Sequence, residues 1–228
     1  MCQVNFKTTV KTIFLKEIRL ELRSREIVLS TAVFALLIVV LSGFVFGADE
    51  IDGNTAAGGA LWLALTVGGV LAIGRSYLNE RVMGVWTGII LSPASKAGIF
   101  AGKTAAIFTF LFLIALILLP VISILFKTGI FAHIHFILPV ILLGLLGFSA
   151  PGILFGSMIV SSNARDLLLG VVLLPLVSPV LILSAKATVL AMSGSGFIEI
   201  SAYLKLLAGL DIIYLSLGIW LFGPLVEE

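Results

Sequence analysis

The chain has 228 residues, of which 60% are hydrophobic and 11% charged, with a formal net charge of +2 and a mean hydropathy of +1.24. Soluble domains carry about 25% charged residues, so a water-soluble globular protein is excluded and no nucleic-acid partner is expected. The one cysteine, Cys2, excludes an internal disulfide, a CxxC redox pair and a CxxCH haem-attachment motif.

In chain order, the first element is an N-terminal amphipathic helix within residues 1–26. Phe14, Leu15, Ile18 and Leu22 fall on one side of a helical wheel, and Lys16, Arg19 and Arg23 on the other. An apolar face backed by basic residues suits a helix lying in the membrane interface against anionic headgroups. A basic flank that merely sets topology would share the composition.

Six long apolar runs follow, at 27–47, 56–74, 104–126, 136–160, 167–185 and 206–226. A hydrocarbon core about 30 Å thick requires about 20 apolar residues in a helix, because lipid cannot satisfy backbone polar groups. The runs are unbroken and lack the alternation of a barrel strand. The first has spanning length and no convincing cleavage site, so it reads as a retained span and not a signal peptide. The fold class is therefore an all-α integral membrane protein, with residues 27–228 as one six-helix domain.

Orientation follows from the basic residues. With the N-terminus inside, Lys7, Lys11, Lys16, Arg19, Arg23, Arg25, Arg75, Arg81, Lys96, Lys103 and Arg165 are cytoplasmic, against Lys127, Lys186 and Lys205 outside. That asymmetry places both termini in the cytoplasm. The outer connections are then the acidic "ADEIDGNT", the segment "KTGIFAHIH" with His133 and His135, and a longer stretch over 186–205 containing "SGSG". Imidazole is a haem ligand, but i, i+2 spacing in an extended loop points the two rings apart. They read as interfacial loop histidines.

The connection over residues 75–103 is unusually charged for so apolar a chain. Within it Leu78, Val82, Val85 and Ile89 share one helical face, with Glu80, Gly84 and Thr87 opposite. Such a helix either packs beneath its own spans or faces a cytoplasmic partner. "GIFAGKT", at 98–104, has three residues between its glycines where a P-loop needs four, and no strand precedes it, so nucleotide binding is not expected. Scattered acids and two loop histidines provide no nucleophile with a base, so the chain is not expected to be an enzyme.

Asp211 is the one charged residue inside the six runs, about one and a half turns into the last. An unpaired carboxylate at depth costs on the order of 2–3 kcal/mol, which makes Asp211 a candidate contact for substrate or partner. Pairing with Lys205 and snorkelling are the alternatives. Pro151, beside Gly147, Gly152 and Gly156, and Pro175 and Pro179 each remove a helical hydrogen bond; they are hinge candidates, and the glycines equally serve close packing. No polar stripe through the spans is evident.

Arg75, Gly84, Pro93 and Lys103, together with "GFSAPG" at 147–152, "LLPLVSPVLIL" at 173–183 and the N-terminal "KEIRLELRSRE", resemble the pattern of the CcmB family. This is the haem exporter protein B permease of cytochrome c maturation, and the likeness runs over nearly the whole chain. The resemblance implies an ABC-2-like permease subunit in a bacterial inner membrane. Its partners would be an ATPase (CcmA), a haem-handling membrane subunit (CcmC), a small membrane subunit (CcmD) and a haem chaperone (CcmE). ATP would act through the partner subunit, and haem would be a substrate of the complex, not a cofactor of this chain. Residues 75–103 would form the coupling loop, with Arg75, Glu80, Arg81, Val82, Val85 and Trp86 meeting the ATPase. A non-conducting scaffold and a generic ABC-2 exporter are the other readings.

Overall fold

The computed structural model describes residues 5–46, 52–82, 84–159 and 165–227. The described residues are helical with short connections: α1 Phe6–Ser24, α2 Glu26–Phe46, α3 Gly53–Val82, α4 Val85–Leu91, α5 Lys96–Leu125, a 3-10 turn Ile130–His133, α6 Ile134–Ile159, α7 Arg165–Met192 and α8 Phe197–Glu227. Six of these helices are long and apolar enough to cross a membrane.

Local chemistry sets several of the boundaries. Arg25 ends α1 in the left-handed region, at φ 55°. The buried carboxylate of Glu21 then accepts from the backbone N–H groups of Val28, at 2.7 Å, and Ile27, at 3.3 Å. These first-turn donors have no partner within α2, so Glu21 both ends one helix and caps the next. Gly84 adopts φ +66° between α3 and α4, a conformation that glycine takes without a side-chain penalty. Ser95 caps α5 by accepting from the N–H of Gly98.

Three expectations change. The third helix does not end at 74 but continues to Val82, so Arg75, Glu80, Arg81 and Val82 stand on a helical extension. The turn at Gly84 cuts the predicted apolar face, and Leu78 and Val82 do not share a helix with Val85 and Ile89. The outer stretch at 186–205 shrinks to 193–196, since its apolar and alanine-rich flanks continue α7 and α8.

A 30-residue helix rises about 45 Å, well beyond a hydrocarbon core of about 30 Å. In α3 and α5 the polar, charged turns sit at the ends that meet α4, and α1 packs there against α5. The centre of the bundle is α3 with α6: 72% of the spanning stretch of each is buried, against 28% for α2 and 22% for α8. Small residues let them meet. A side chain on Gly69 would strike Phe148, one on Gly152 would strike Ile73, and one on Gly156 would strike Tyr77, which is how glycine brings spanning helices together in the absence of a hydrophobic drive.

Candidate functional site

The extended ends of α3 and α5 meet α1 in a cluster of four ionisable side chains, three of them buried and the fourth, Lys16, partly so. Lys103, about two turns into α5 and 1% exposed, places its Nζ 2.7 Å from Glu80 Oε2 and 3.2 Å from Glu17 Oε1. Lys16 lies 3.0 Å from the same Glu17 oxygen and also pairs with Glu80. The Lys103 ammonium stands 4.7 Å above the ring of Tyr77, a cation–π geometry, and the Tyr77 hydroxyl donates to the Ile153 carbonyl at 2.8 Å. One cluster thereby ties α1, α3, α5 and α6 together.

Buried charges persist when paired and hydrogen-bonded, and breaking such a group leaves an uncompensated ion. Glu17 shows the balance. Burial pushes its carboxyl up, but Lys103 and Lys16 outweigh this and hold it at about 2. The interlock also relies on close approach of α1 to α5. A Cβ on Gly98 would come within 2.8 Å of Thr9 Cβ, and one on Gly102 within 2.9 Å of Ile13 Cβ. The glycines that imitate a phosphate-binding loop are thus a helix-packing pair, spaced i, i+4 against Thr9 and Ile13.

A cleft of about 570 Å³ opens beside the cluster between α1, α2 and the end of α3, lined among others by Lys16, Leu20, Arg23, Glu26 and Asn79. Glu26, on its α2 side, is ion-paired to Arg75 at 3.2 Å. Glu80 is 4% exposed and turned inward, so it does not present its carboxylate to a partner as the sequence suggested. Arg81 and Val82 are exposed on the last turn of α3, and Val85 is exposed at the start of α4. The Trp86 side chain lies outside the described residues.

The matching family model is that of the CcmB protein, over residues 8–226. The chain belongs to the CcmB family. Members are a membrane component of the haem exporter of cytochrome c maturation, a permease subunit and not the ATPase, within a complex that includes an ATPase and membrane partners. This family member is accordingly a multi-pass membrane protein. No curated protein matches the sequence.

Each family-like position of the α3–α5 connection has a distinct job here. Arg75 pairs with α2, Gly84 makes the break before α4, Pro93 lies in the turn before α5, and Lys103 centres the buried cluster. The cluster itself was not anticipated. Its sequence signal is weak: Glu17 and Glu21 are acids spaced i, i+4 within a basic helix, on the stripe with Thr9 and Ile13 that the fold buries. Of the apolar side predicted for α1, Phe14 and Ile18 pack on the core while Leu22 is 69% exposed, because paired glutamates take the inward stripe.

The prolines divide. Pro151 is buried in α6, whereas Pro175 and Pro179 are exposed on α7, where the Pro175 carbonyl, left without a donor by Pro179, accepts from the Ser178 hydroxyl at 2.8 Å. All three lie inside continuous helices. His133 ends the 3-10 turn, half-buried, and His135 opens α6 against the ring of Phe136, so neither sits in an extended loop.

Asp211 departs furthest from expectation. The helix begins at Phe197, which places Asp211 about four turns in and not one and a half. It is 3% exposed and does not snorkel, and no ion pair joins it to Lys205 among the described residues. Nor is the interior free of polar groups: Trp62 donates to Thr188 at 3.0 Å, and Ser184, Ser149 and Thr66 are buried nearby in the bundle.

Proposed function

We propose that this chain is the permease subunit that couples ATP hydrolysis by a separate ATPase (CcmA) to haem export or delivery, or to release of the haem-loaded chaperone (CcmE). CcmC and CcmD are its membrane neighbours, and the site is the bacterial cytoplasmic membrane with both termini inside. The observation that carries the reading is the surface at the α3–α4 turn. Val82 is 76% and Leu91 79% exposed; Arg81, next to Val82, and Val85, at the start of α4, are exposed as well. Apolar side chains held in water beside a cation are what a partner surface covers.

The buried cluster supports the reading mechanically. A force on α4 reaches Glu80 through the last turn of α3, and Glu80 is held to α1 and α5 by Lys16 and Lys103. In this reading α1 lies along the membrane interface and moves with the docking turn. The α3–α6 seam is filled by Phe148, Ile73 and Tyr77, which favours coupling over conduction within this bundle. The same packing favours a second reading, a non-conducting scaffold.

The test is the purified multi-subunit complex carrying Arg81→Glu with Val82→Glu. Expected is a loss of ATPase co-purification of at least about tenfold, the equivalent of about 1.4 kcal/mol, together with loss of haem-loaded chaperone release. Unchanged binding and release would overturn the docking surface. Normal release from a complex whose ATPase binds but cannot hydrolyse ATP would select the scaffold.

A further inference from the structure

We infer that Asp211 is an intramembrane proton-binding site: a neutral carboxylic acid whose O–H donates to the backbone carbonyl of Gly147, latching α8 to the proline break in α6. Asp211 lies about four turns into α8, away from the α3–α4 turn proposed to dock the ATPase.

The geometry begins with a missing side chain. A Cβ built on Gly147 would lie 2.5 Å from Asp211 Oδ1, so the carboxyl occupies the notch that glycine leaves on α6. Val180 on α7 shares the notch, its two methyls 3.1 and 3.2 Å from the same Cβ position. Neither Asp211 oxygen has a hydrogen-bond partner among the described residues. With Asp211 roughly 21 Å from one end of α8 and 24 Å from the other at 1.5 Å per residue, bulk water is distant in both directions.

The donors and acceptors of that notch decide the protonation state. An ionised carboxylate is an acceptor only and needs donors or a cation; a protonated one needs a single acceptor. Among the described residues no ion pair joins Asp211: Lys103 and Lys16 are paired with Glu17 and Glu80, and Lys205 is exposed on α8. Tyr214, one turn on, gives its hydroxyl to the Leu176 carbonyl at 2.7 Å. From α7 the carboxyl faces Val180 and from α6 Gly147; the Ser184 hydroxyl, buried and also without a partner among the described residues, lies beside Gly144, one turn of α6 away, and is not bonded to Asp211.

An acceptor, by contrast, is built in. Pro151 lies inside α6 and has no N–H, so the carbonyl four residues earlier loses its helical donor. That carbonyl belongs to Gly147, the residue whose notch holds the Asp211 carboxyl. In lipid a carbonyl freed by proline is met by a neighbouring helix or side chain, and a carboxylic acid supplies the one proton required. Proline, glycine and aspartate are then parts of one device.

The experiment uses the full chain in lipid nanodiscs near neutral pH. The infrared difference between wild type and Asp211→Asn should show the carbonyl stretch of a protonated carboxylic acid, and Gly147→Ala should shift that band by displacing the carboxyl. Asparagine keeps a donor, so Asp211→Asn should leave the thermal midpoint unchanged, while Asp211→Leu should lower it by about 2–4 °C. A difference spectrum showing carboxylate bands instead would overturn the proposal, even if the leucine variant failed to fold. So would an asparagine variant as unstable as the leucine one, since that would mean the negative charge is what the site needs.

Discussion

Lys103 is the residue on which the α1–α3–α5 junction turns, because it is the fully buried cation between two buried glutamates. Lys103→Met leaves Glu17 and Glu80 with Lys16 alone, and removing one partner of a buried ionic group destabilises by about 3–5 kcal/mol. The thermal midpoint of the purified protein should fall accordingly, and adding Glu80→Gln should restore part of the loss. Glu17 adds a pH signature. Its folded value of about 2 lies below its ordinary 4.5, so its contribution is complete above pH 4.5 and is lost as pH falls toward 2. At about 1.4 kcal/mol per unit this amounts to about 3 kcal/mol. The midpoint should drop across that window, and Glu17→Gln should flatten the drop; a profile of equal slope in both proteins would remove Glu17 from the account.

At the scale of elements, α1 is held by shape as well as charge. Gly102→Leu would drive a side chain into Ile13 Cβ, 2.9 Å from the first added atom, and the Val10 carbonyl at 3.0 Å, and overpacking of this kind costs about 1–3 kcal/mol. Trypsin should then cut after Lys11, Lys16, Arg19 or Arg23 several times faster than in wild type. Gly59→Ala, which meets nothing within 4 Å, should leave the digestion rate unchanged. This is also where the sequence proved most and least legible. The spans could be read because apolar runs of bilayer length leave the backbone no other solution. The extension of α3 to Val82 could not, since Arg75–Arg81 carries the charge and amide density of a loop and becomes helical by pairing Arg75 to α2 and Glu80 to α1 and α5. Long-range pairing of that sort has no sequence period. Asp211 was visible as an anomaly, yet its neighbour Gly147 lies 64 positions away on another helix, and only the fold joins them.

At the scale of the whole molecule, six spans and their spare turns make a bundle with two unlike ends. One end gathers α1, α4 and the charged extensions of α3 and α5; the other holds short turns such as 193–196. The basic residues concentrate at the first end, and positive charge is retained on the cytoplasmic side, so the orientation proposed above puts that end inside. With Cys2 replaced by serine, Leu91→Cys and Ser193→Cys supply single exposed thiols at opposite ends. In sealed right-side-out vesicles a membrane-impermeant maleimide should label position 193 and leave 91 untouched until the membrane is opened; inverted vesicles should reverse the pattern. Labelling of position 91 from outside would place α4 away from any cytoplasmic ATPase, and the exposed Arg81, Val82 and Val85 would then face a periplasmic partner. The same vesicles would still carry the Asp211–Gly147 latch, because a proton held near mid-bilayer is indifferent to which end of the bundle faces in.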